Sequence, residues 1–353
     1  MPAQARISSP DDRDKITALM QRALSLKAGD ITIEPAFQQW KYWSHHPFTA
    51  AGRSYVLDGQ GSVIAHGCRW PMRILTAAAG CDGFHLIDWA AETGHAGAGL
   101  QVLRDMCANS AALFSIGGSP ATQRMLPTIG ELLRRRAKNE AAPVYRVAGP
   151  MYFMSRPLKP FAAALEEEAA LWKTAGRIVR NTYRAAWPTL QLPGEYSFQQ
   201  ITPAEIAEHL WPHPASESAV TARTAELLQH FANCPVLRQP MYFVLNKAGR
   251  ACAYFFLVLA GQQVRVADFG PGNLDQSTSH ALAMATQLAA KRHYPKAVRI
   301  STATSEMSAR DGFLAAGFRL SYQEEIRALL VDPALQNFRN CRLTYLDLDA
   351  LCL

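Results

Sequence analysis

A glycine-rich turn, Gly94-His95-Ala96-Gly97-Ala98-Gly99, follows the apolar segment 84–89 after four residues. An apolar strand, a glycine turn and a helix in this order can bind a phosphate, because backbone N–H groups and the helix N-terminus face the anion and no side chain blocks it. The order G-x-x-G-x-G differs from the dinucleotide fingerprint G-x-G-x-x-G, and no Lys-Ser or Lys-Thr pair follows it as in a P-loop. We therefore expect a phosphate-binding loop of another class. The alternative is that Gly97 and Gly99 only allow close packing of the helix on the strand.

Asp88 stands on the same predicted strand, one residue before Trp89 and beside the loop. A carboxylate near a reacting carbon can take the proton that an amine loses before it attacks, directly or through water. Asp88 is therefore a candidate general base. The alternative is a structural carboxylate, for example a cap at the end of a strand.

Length and composition indicate a globular protein of two domains. The chain has 353 residues, of which 49% are hydrophobic and 18% charged. The sequence lacks a long uncharged apolar run that would predict a spanning helix, and its polar, acidic N-terminus is unlike a secretory signal. Seven scattered cysteines, never in C-x-x-C spacing, favour a reducing cytosol over disulfides or structural zinc. We expect a cytoplasmic protein without a metal site.

The net charge of +7 is unevenly distributed, since residues 121–159 contain eight basic residues and two acidic ones. This excess predicts either a solvated basic face or attraction of an anionic partner, such as a nucleotide phosphate or RNA.

Three stretches of the chain recur in the same order. They align residues 40–65 with 228–253, 85–90 with 265–270, and 115–131 with 302–318, at offsets of 188, 180 and 187. The alignment places Asp88 on Asp268 and Gly130 on Gly317. It predicts a duplicated domain, with the same fold formed twice rather than one sheet through both halves.

Each copy shows the pattern of a mixed α/β unit. The elements predicted for the second copy are helix 221–233, strands 241–246, 251–259 and 263–269, helix 274–292, strand 297–303, helix 307–316 and a last strand over 341–347. Between the copies, an apolar stripe from Phe161 to Tyr183 has helical spacing and predicts one connecting helix packed on the domains. The predicted organisation is a first domain over 1–158, the connecting helix over 159–192 and a second domain over 193–353.

The glycine turn resembles the acyl-CoA pyrophosphate loop of the GNAT N-acyltransferase superfamily, which is Arg/Gln-x-x-Gly-x-Gly/Ala between a central strand and a helix. The segment 310–320, RDGFLAAGFRL, is similar to the family's fourth helix and the Gly-Phe that follows it. Tandem chains of this kind resemble the FemA/FemX group and acyltransferases of surface-polysaccharide pathways. The resemblance implies two tandem GNAT-like domains of the α/β class with a mixed (α+β) sheet, and acetyl-CoA or another acyl-CoA as co-substrate.

The resemblance also implies which residues bind the acyl-CoA. They are the loop and its neighbours: Trp89, Gly94, His95, Gly97, Ala98, Gly99 and Ser119. This chain has Gly94 where the family's loop opens with Arg or Gln. In the second copy Asn273, Asp275 and Gln276 replace the glycines, so we expect one acyl-CoA site at most, in the first copy.

The general acid that many family members use, a tyrosine before the helix-ending glycine, is replaced here by Leu126 and Phe313. Tyr145, near the end of the first copy, is a candidate substitute, and packing is its alternative role. Asp88 and Tyr145 are thus the candidate catalytic residues.

We expect an N-acyltransferase that moves an acyl group from acyl-CoA to an amine of an amino sugar, amino acid or peptide, with the second copy shaping the acceptor cleft. One alternative is transfer from aminoacyl-tRNA as in the FemX group, which the basic stretch 121–159 favours and the absence of that group's long two-helix arm disfavours. The other is a catalytically degenerate pair of GNAT-like domains that binds a ligand or a protein partner.

Overall fold

One large β-sheet is the frame of the molecule. The computed structural model describes residues 4–50, 52–59, 61–95, 97–108, 110–118, 120–136, 143–165, 171–186 and 191–352. The strands are β1 (Arg6–Ile7), β2 (Ser54–Gly59), β3 (Ser62–Leu75), β4 (Gly80–Ala91), β5 (Ala112–Ile116), β6 (Val144–Pro157), β7 (Tyr196–Ile201), β8 (Ser218–Thr221), β9 (Leu237–Lys247), β10 (Arg250–Ala260), β11 (Gln263–Gly270), β12 (Arg299–Thr304), β13 (Arg319–Leu330) and β14 (Asn340–Arg342).

Helices cover both faces of this sheet. They are α1 (Arg13–Leu24), α2 (Pro35–Gln38), α3 (Ala98–Cys107), α4 (Pro120–Arg136), α5 (Pro160–Leu165), α6 (Leu171–Ala186), α7 (Ala225–Ala232), α8 (Gln276–His293) and α9 (Met307–Ala315). A π-helical turn over Gln39–Trp43 continues α2.

The strand order is symmetric about its centre. The strands are hydrogen-bonded in the order β1-β2-β3-β4-β5-β13-β6-β12-β11-β10-β9-β7, with β8 and β14 paired beside β3. In the first half β2, β3 and β4 are antiparallel neighbours and β4 and β5 are parallel. In the second half β9 to β12 repeat this pattern. The mixed α/β class and the duplication are therefore confirmed.

The two halves exchange strands at the centre of the sheet. β6 of the first half pairs with β12, β13 of the second half pairs with β5, and the two long strands also pair with each other. The expectation of a separate sheet in each half is therefore wrong. Each half would otherwise present a strand edge with unpaired backbone groups, and pairing with the other half satisfies them.

The end of the chain departs from the predicted elements. β13 covers Arg319–Leu330, where the sequence predicts no strand, and the predicted strand 341–347 is a short β14 followed by a 3-10 turn over Tyr345–Asp347. The N-terminal half of β13 is largely exposed and carries polar residues, so the apolar alternation that marks a strand is missing there.

The connector between the halves is two helices, α5 and α6, and residues 166–170 between them lie outside the described part of the chain. The Asn181 side chain on α6 donates to the carbonyl of Pro160 at the start of α5, at 3.4 Å. In one continuous helix these residues would lie about 30 Å apart. The single connecting helix is therefore wrong. Phe161, Val179 and Tyr183 of the predicted apolar stripe are 62%, 72% and 67% exposed, so these residues do not pack on the two halves.

The glycines of the repeat behave in two ways. Gly61 and Gly249 both occupy hairpin turns with positive φ, of 83° and 78°. Gly317 follows α9 with φ of 87°, as predicted for the end of a helix. Gly130 lies inside α4, where it packs against Leu329 and the Cβ of Tyr145. The match of Gly130 with Gly317 therefore fails in conformation, because α4 continues beyond it.

The two faces of the sheet are packed differently. On one face a single core spans both halves and includes α1, the π-helical turn, α7 and the C-terminal segment 343–352. On the other face α3 and α4 cover the first half, and α8 and α9 cover the second, in two separate clusters. The shared core makes the halves one packing unit.

A buried ion cluster fixes the C-terminal segment in that core. The Arg223 guanidinium contacts Asp268 of β11 at 2.9 Å and Asp347 at 2.7 Å, and these three side chains are at most 4% exposed. The Thr344 hydroxyl also donates to Asp268 at 2.6 Å. The segment reaches the first half as well, since the Trp70 indole N–H donates to the carbonyl of Leu346 at 3.2 Å.

We predict that Asp347→Asn lowers the free energy of unfolding by about 3–5 kcal/mol, because it takes one partner from a buried guanidinium. The matched control is Glu217→Gln, which breaks the exposed pair with Arg339 at 3.3 Å and should cost less than about 1 kcal/mol. Urea unfolding of both variants tests this, and equal losses would contradict it.

Candidate active site

The glycine turn of the first half is open and faces solvent. Gly94 and Gly97 have positive φ, of 98° and 83°, and a Cβ added to either would meet no described atom within 4 Å. Gly97 is the N-cap of α3, and the first turn of that helix carries no acidic residue. The Ala98 N–H bonds the carbonyl of His95 at 3.1 Å, but no side chain of the described residues caps this terminus, so its remaining N–H groups can face an anion.

Gly99 serves packing. Its carbonyl accepts a hydrogen bond from the Trp89 indole N–H at 2.9 Å. A Cβ on Gly99 would lie 3.2 Å from that nitrogen and 3.3 Å from the Cβ of Ala91. The glycine lets α3 approach β4 closely, and Trp89 locks the contact, so both residues set the position of the loop.

The corresponding loop of the second half is filled by carboxylates of the chain itself. Glu306 Oε1 accepts from the backbone N–H of Asn273 at 2.8 Å. Asp275 caps α8 by accepting from the backbone N–H of Thr278 at 2.8 Å. These carboxylates occupy the N–H groups that an outside anion would need.

Two strands separate next to the glycine turn. β4 pairs with β5 over Gly83–His85 and Ala112–Phe114, yet β4 continues to Ala91 and β5 to Ile116. At this point β4 also carries a bulge, because its pairing with β3 shifts register between His66 and Cys68. Asp88 lies in the bulge with φ of 49°. The pairing thus ends before either strand does, and Asp88 lies on the part of β4 that β5 leaves unpaired.

Asp88 is held by the segment before β2. Its Oδ2 accepts from the Tyr42 hydroxyl at 2.8 Å and lies 2.8 Å from Lys41 Nζ. Lys41 Nζ is also 3.4 Å from Asp349 Oδ2. The Lys41 side chain is fully buried and that of Asp88 is 6% exposed. Within the described residues no hydrogen bond is found to Asp88 Oδ1, so one carboxylate oxygen is fixed and the other is left for a ligand.

The two groups that bind Asp88, Lys41 and Tyr42, each keep their proton. Burial alone would lower the pKa of Lys41, but Asp88 and Asp349 raise it above its ordinary value, so the ammonium stays charged. Burial, together with the charge of Asp88, raises the pKa of Tyr42 well above its ordinary value. Tyr42 therefore acts as a neutral donor to the carboxylate.

Sequence reasoning did not find Lys41 or Tyr42. The signal is present, since a lysine inside the apolar stretch WKYW will be buried if that stretch is, and a buried lysine needs a carboxylate. Asp268, the repeat partner of Asp88, has the same kind of surroundings. It also lies next to a bulge, with Arg223 Nε at 2.9 Å and the Tyr254 hydroxyl at 2.6 Å.

The other candidate residues are dispersed. Tyr145 belongs to the cluster on the α3 and α4 face, so the structure does not bring it to the carboxylate of Asp88. His95 is exposed in the glycine turn. Ser119 lies outside the described residues.

Two basic residues of the stretch 121–159 are bound within the protein. Arg146 donates to the carbonyls of Gln336 and Phe338. Arg156 is 1% exposed and donates to the carbonyl of Ala316. These two are not available to an outside anion.

Two cavities lie on the Tyr42 side of the sheet. One of 400 Å³ is lined by Tyr42, Ser44, His45 and Arg53. The other, of 1080 Å³, shares Ser44 and His45 with it and is lined on its far side by second-half residues, among them Glu226 of α7. Both halves thus contribute to the larger cavity, and Tyr42, which donates to Asp88, lines the smaller one.

No protein-family model and no curated protein matches the sequence. Solved structures do match. A tandem GNAT protein from the clavulanic acid biosynthesis pathway is 11% identical with a TM-score of 0.56, over 92% of this chain and 97% of its own. A GCN5-related N-acetyltransferase from Anabaena variabilis ATCC 29413 is 10% identical with a TM-score of 0.53, over 93% of this chain and 72% of its own.

At such low sequence identity, the structural similarity shows the fold alone. The chain has the GNAT fold in its tandem form, with two GNAT-like halves as the sequence predicts. In the part of the chain that the structure describes, no helix has the length and apolar character to span a membrane.

The surroundings of Asp88 predict a pH dependence of stability. His66 Nδ1 bonds the carbonyl of Asp88 and its Nε2 bonds the Ser54 hydroxyl, both at 3.0 Å. A carbonyl can only accept, so Nδ1 carries a proton, and burial favours the neutral ring, in which Nε2 accepts from Ser54. Burial lowers the pKa of His66 to about 4, below the value of about 6.5 in an unfolded chain.

The unfolded state therefore binds the extra proton first as the pH falls. Between about pH 6.5 and 4, His66 should reduce the free energy of unfolding by about 1.4 kcal/mol per pH unit. Urea unfolding over this range measures the slope. In His66→Gln the slope should be smaller by one proton, and an unchanged slope would contradict the prediction.

Proposed function

We propose that the first half is an N-acyltransferase site that takes acyl-CoA at the Gly94–Gly99 turn and passes the acyl group to an amine on a small molecule. The observation that carries this proposal is the difference between the two equivalent loops. The first-half loop has open glycines and an α3 terminus without an acid, whereas Glu306 and Asp275 fill the second-half loop. The GNAT fold of the neighbouring structures supports it.

In this proposal the residues of the loop hold the diphosphate through backbone N–H groups. Gly94 and Gly97 leave room for it, Ala98 and Gly99 begin the helix whose N-terminus faces it, and Trp89 fixes that helix on β4. When bound, acyl-CoA supplies an activated thioester. Asp88 Oδ1 then serves as the base for the attacking amine, since Lys41 and Tyr42 hold Oδ2 and so orient the carboxylate.

In this proposal the amine acceptor enters through the two adjoining cavities, of which the smaller is lined by Tyr42. Among the described residues that line the larger cavity, Glu226 is the acidic one and none is a lysine or arginine. An ammonium group is attracted to such a space before it loses its proton. Amino sugars and amino acids are therefore the first acceptors to test. Transfer from aminoacyl-tRNA has less support, because Arg146 and Arg156 are bound within the protein.

We predict that Gly97→Asp weakens CoA and acetyl-CoA binding by about 100-fold or more, because a carboxylate next to a diphosphate costs several kcal/mol. Gly97→Asn has the same size and backbone strain without the charge, and should retain most of the affinity. Isothermal titration measures all three proteins.

The second-half control is Ser277→Asp, which should leave CoA affinity unchanged because that loop already holds Asp275. If Gly97→Asp binds as wild type, or if Ser277→Asp loses as much affinity, the first-half site is refuted.

We predict that Asp88→Asn lowers kcat/KM by about 100-fold or more, the range of a positioned acid–base group, while CoA affinity is retained because the loop binds through its backbone. Release of free thiol from acetyl-CoA, with a panel of amino sugars and amino acids, measures turnover per folded protein. Asp268→Asn, the repeat partner, should change stability and leave turnover intact.

Retained turnover in both variants would make Asp88 a structural residue. CoA binding without turnover in the wild type would favour the binding-protein alternative.

A further inference from the structure

The smaller of the two adjoining cavities, of 400 Å³, is lined by a buried cation that has no acid beside it. This cation is Arg53, which is 3% exposed. Lys41 and Arg223 are also buried, and each pairs with two carboxylates. Burial lowers the pKa of Arg53 to about 10, and no carboxylate of the described residues lies close enough to raise it. A buried charge without a partner is unfavourable, so Arg53 calls for an anion from outside the chain.

The guanidinium of Arg53 has unused donors. Its Nη2 donates to the carbonyls of Trp40 at 2.6 Å and Ser44 at 2.7 Å, which holds the side chain against the π-helical turn. Nε and Nη1 make no hydrogen bond to the residues that the structure describes, yet neither nitrogen is sealed from solvent. Both keep accessible surface on a residue that lines the cavity, so they can donate to a ligand there.

The lining of the smaller cavity is polar. Its described residues include no acid, and they carry hydroxyl groups at Ser8, Ser9, Ser44 and Thr49. Two carboxylates contact lining residues from outside the cavity, and both are already paired. Asp12, which accepts from the backbone N–H of Ser9, pairs with Arg6 at 2.7 Å, and Asp88, which accepts from Tyr42, pairs with Lys41 at 2.8 Å. An anion in the cavity therefore meets the unpaired charge of Arg53.

The two adjoining cavities differ in charge. Ser44 and His45 line both, so the cavities meet there. Burial, and then the charge of Arg53, lower the pKa of His230 in the larger cavity to about 3, so that ring is neutral. The larger cavity thus has the acid Glu226 and the smaller one the cation Arg53. This arrangement is complementary to a molecule that carries both an ammonium and a carboxylate group.

We propose that Arg53 binds the carboxylate of a small molecule in the smaller cavity. If the proposed function holds, on which this step rests, the ligand is the acceptor, and the acceptor is an amino acid rather than an amino sugar without a carboxylate. A carboxylate has one negative charge and neutralises Arg53, whereas a phosphate dianion would leave a buried charge without a partner. The volume of 400 Å³ is typical of a small-molecule site.

The first experiment measures binding to the full-length protein without acyl-CoA. The probes are alanine, glutamine and phenylalanine, each compared with its primary amide, and inorganic phosphate. The indole N–H signal of Trp43, which lines the cavity, reports binding by NMR. We expect at least one amino acid to shift this signal in a saturable way, and its amide to bind about tenfold or more weakly because the amide lacks the negative charge.

Two results would overturn the carboxylate site. One is the absence of a saturable shift with all three amino acids. The other is an amide, or phosphate, that binds as tightly as the best amino acid.

Arg53→Gln and Arg53→Lys form a matched pair, since both disturb the contact with the π-helical turn and only the lysine keeps the charge. Arg53→Gln should bind the amino acid about tenfold or more weakly than Arg53→Lys. A second pair, at the exposed lining residue Ala50, leaves Arg53 in place. Ala50→Asp brings a carboxylate to the cavity and should bind about tenfold or more weakly than Ala50→Asn. Unfolding midpoints check the fold of all four variants, and equal affinities within a folded pair would contradict the proposal.

Thiol release from acetyl-CoA separates this inference from the proposed function. Amino-acid binding that depends on Arg53, without thiol release, would support the carboxylate site and refute the transfer reaction. Thiol release with glucosamine, in a protein that binds none of the amino acids, would support the transfer reaction and refute the carboxylate site.

Discussion

Two buried cations, Lys41 and Arg223, hold the molecule together. Each pairs with the aspartate at a bulge of the sheet, Asp88 or Asp268, and each also reaches an aspartate near the end of the chain, Asp349 or Asp347. A buried charge is tolerated when it is paired, and removal of one partner is strongly destabilising. The C-terminal segment is therefore held by charge pairs at both bulges. These pairs couple the two halves, the shared core and the orientation of Asp88 in a single arrangement.

Both halves of the duplication contain an aspartate at a bulge that is paired with a buried cation. They differ in the loops that precede α3 and α8. Helix α3 begins at a glycine with no acid in its first turn, whereas α8 is capped by Asp275 and its loop is bonded by Glu306. An internal carboxylate satisfies a helix terminus permanently, while an open terminus stays available to a ligand. A few carboxylates thus decide which copy can take an outside anion, although the backbone pattern of both copies is the same.

The sequence predicts the helices and strands of this fold better than it predicts which strands pair with each other. The alternating patterns and the offsets of the repeat predict β9 to β12, α8 and α9, because each buries a face whose period is visible locally. The strand exchange is not predictable in this way, since the choice of neighbour for β6 and β13 depends on which edge is left unpaired in three dimensions. β13 is missed altogether because its first residues are exposed and polar. Asp88 is found through its place beside the loop, but Lys41 is not, because a lysine is normally a surface residue.

The shared core gives the second half a place in the proposed reaction even though its loop is filled. The larger cavity is lined by residues of both halves, including Glu226 at the start of α7. α7 is held there by the shared core, where Trp40 stacks on His230 with ring centres 4.7 Å apart and its indole N–H donates to the carbonyl of the same residue. A first half alone would expose this face of its sheet to water and would lack the far wall of the cavity. On the proposed function, the first half therefore binds the acyl donor, and the second half supplies the wall against which an amine is positioned.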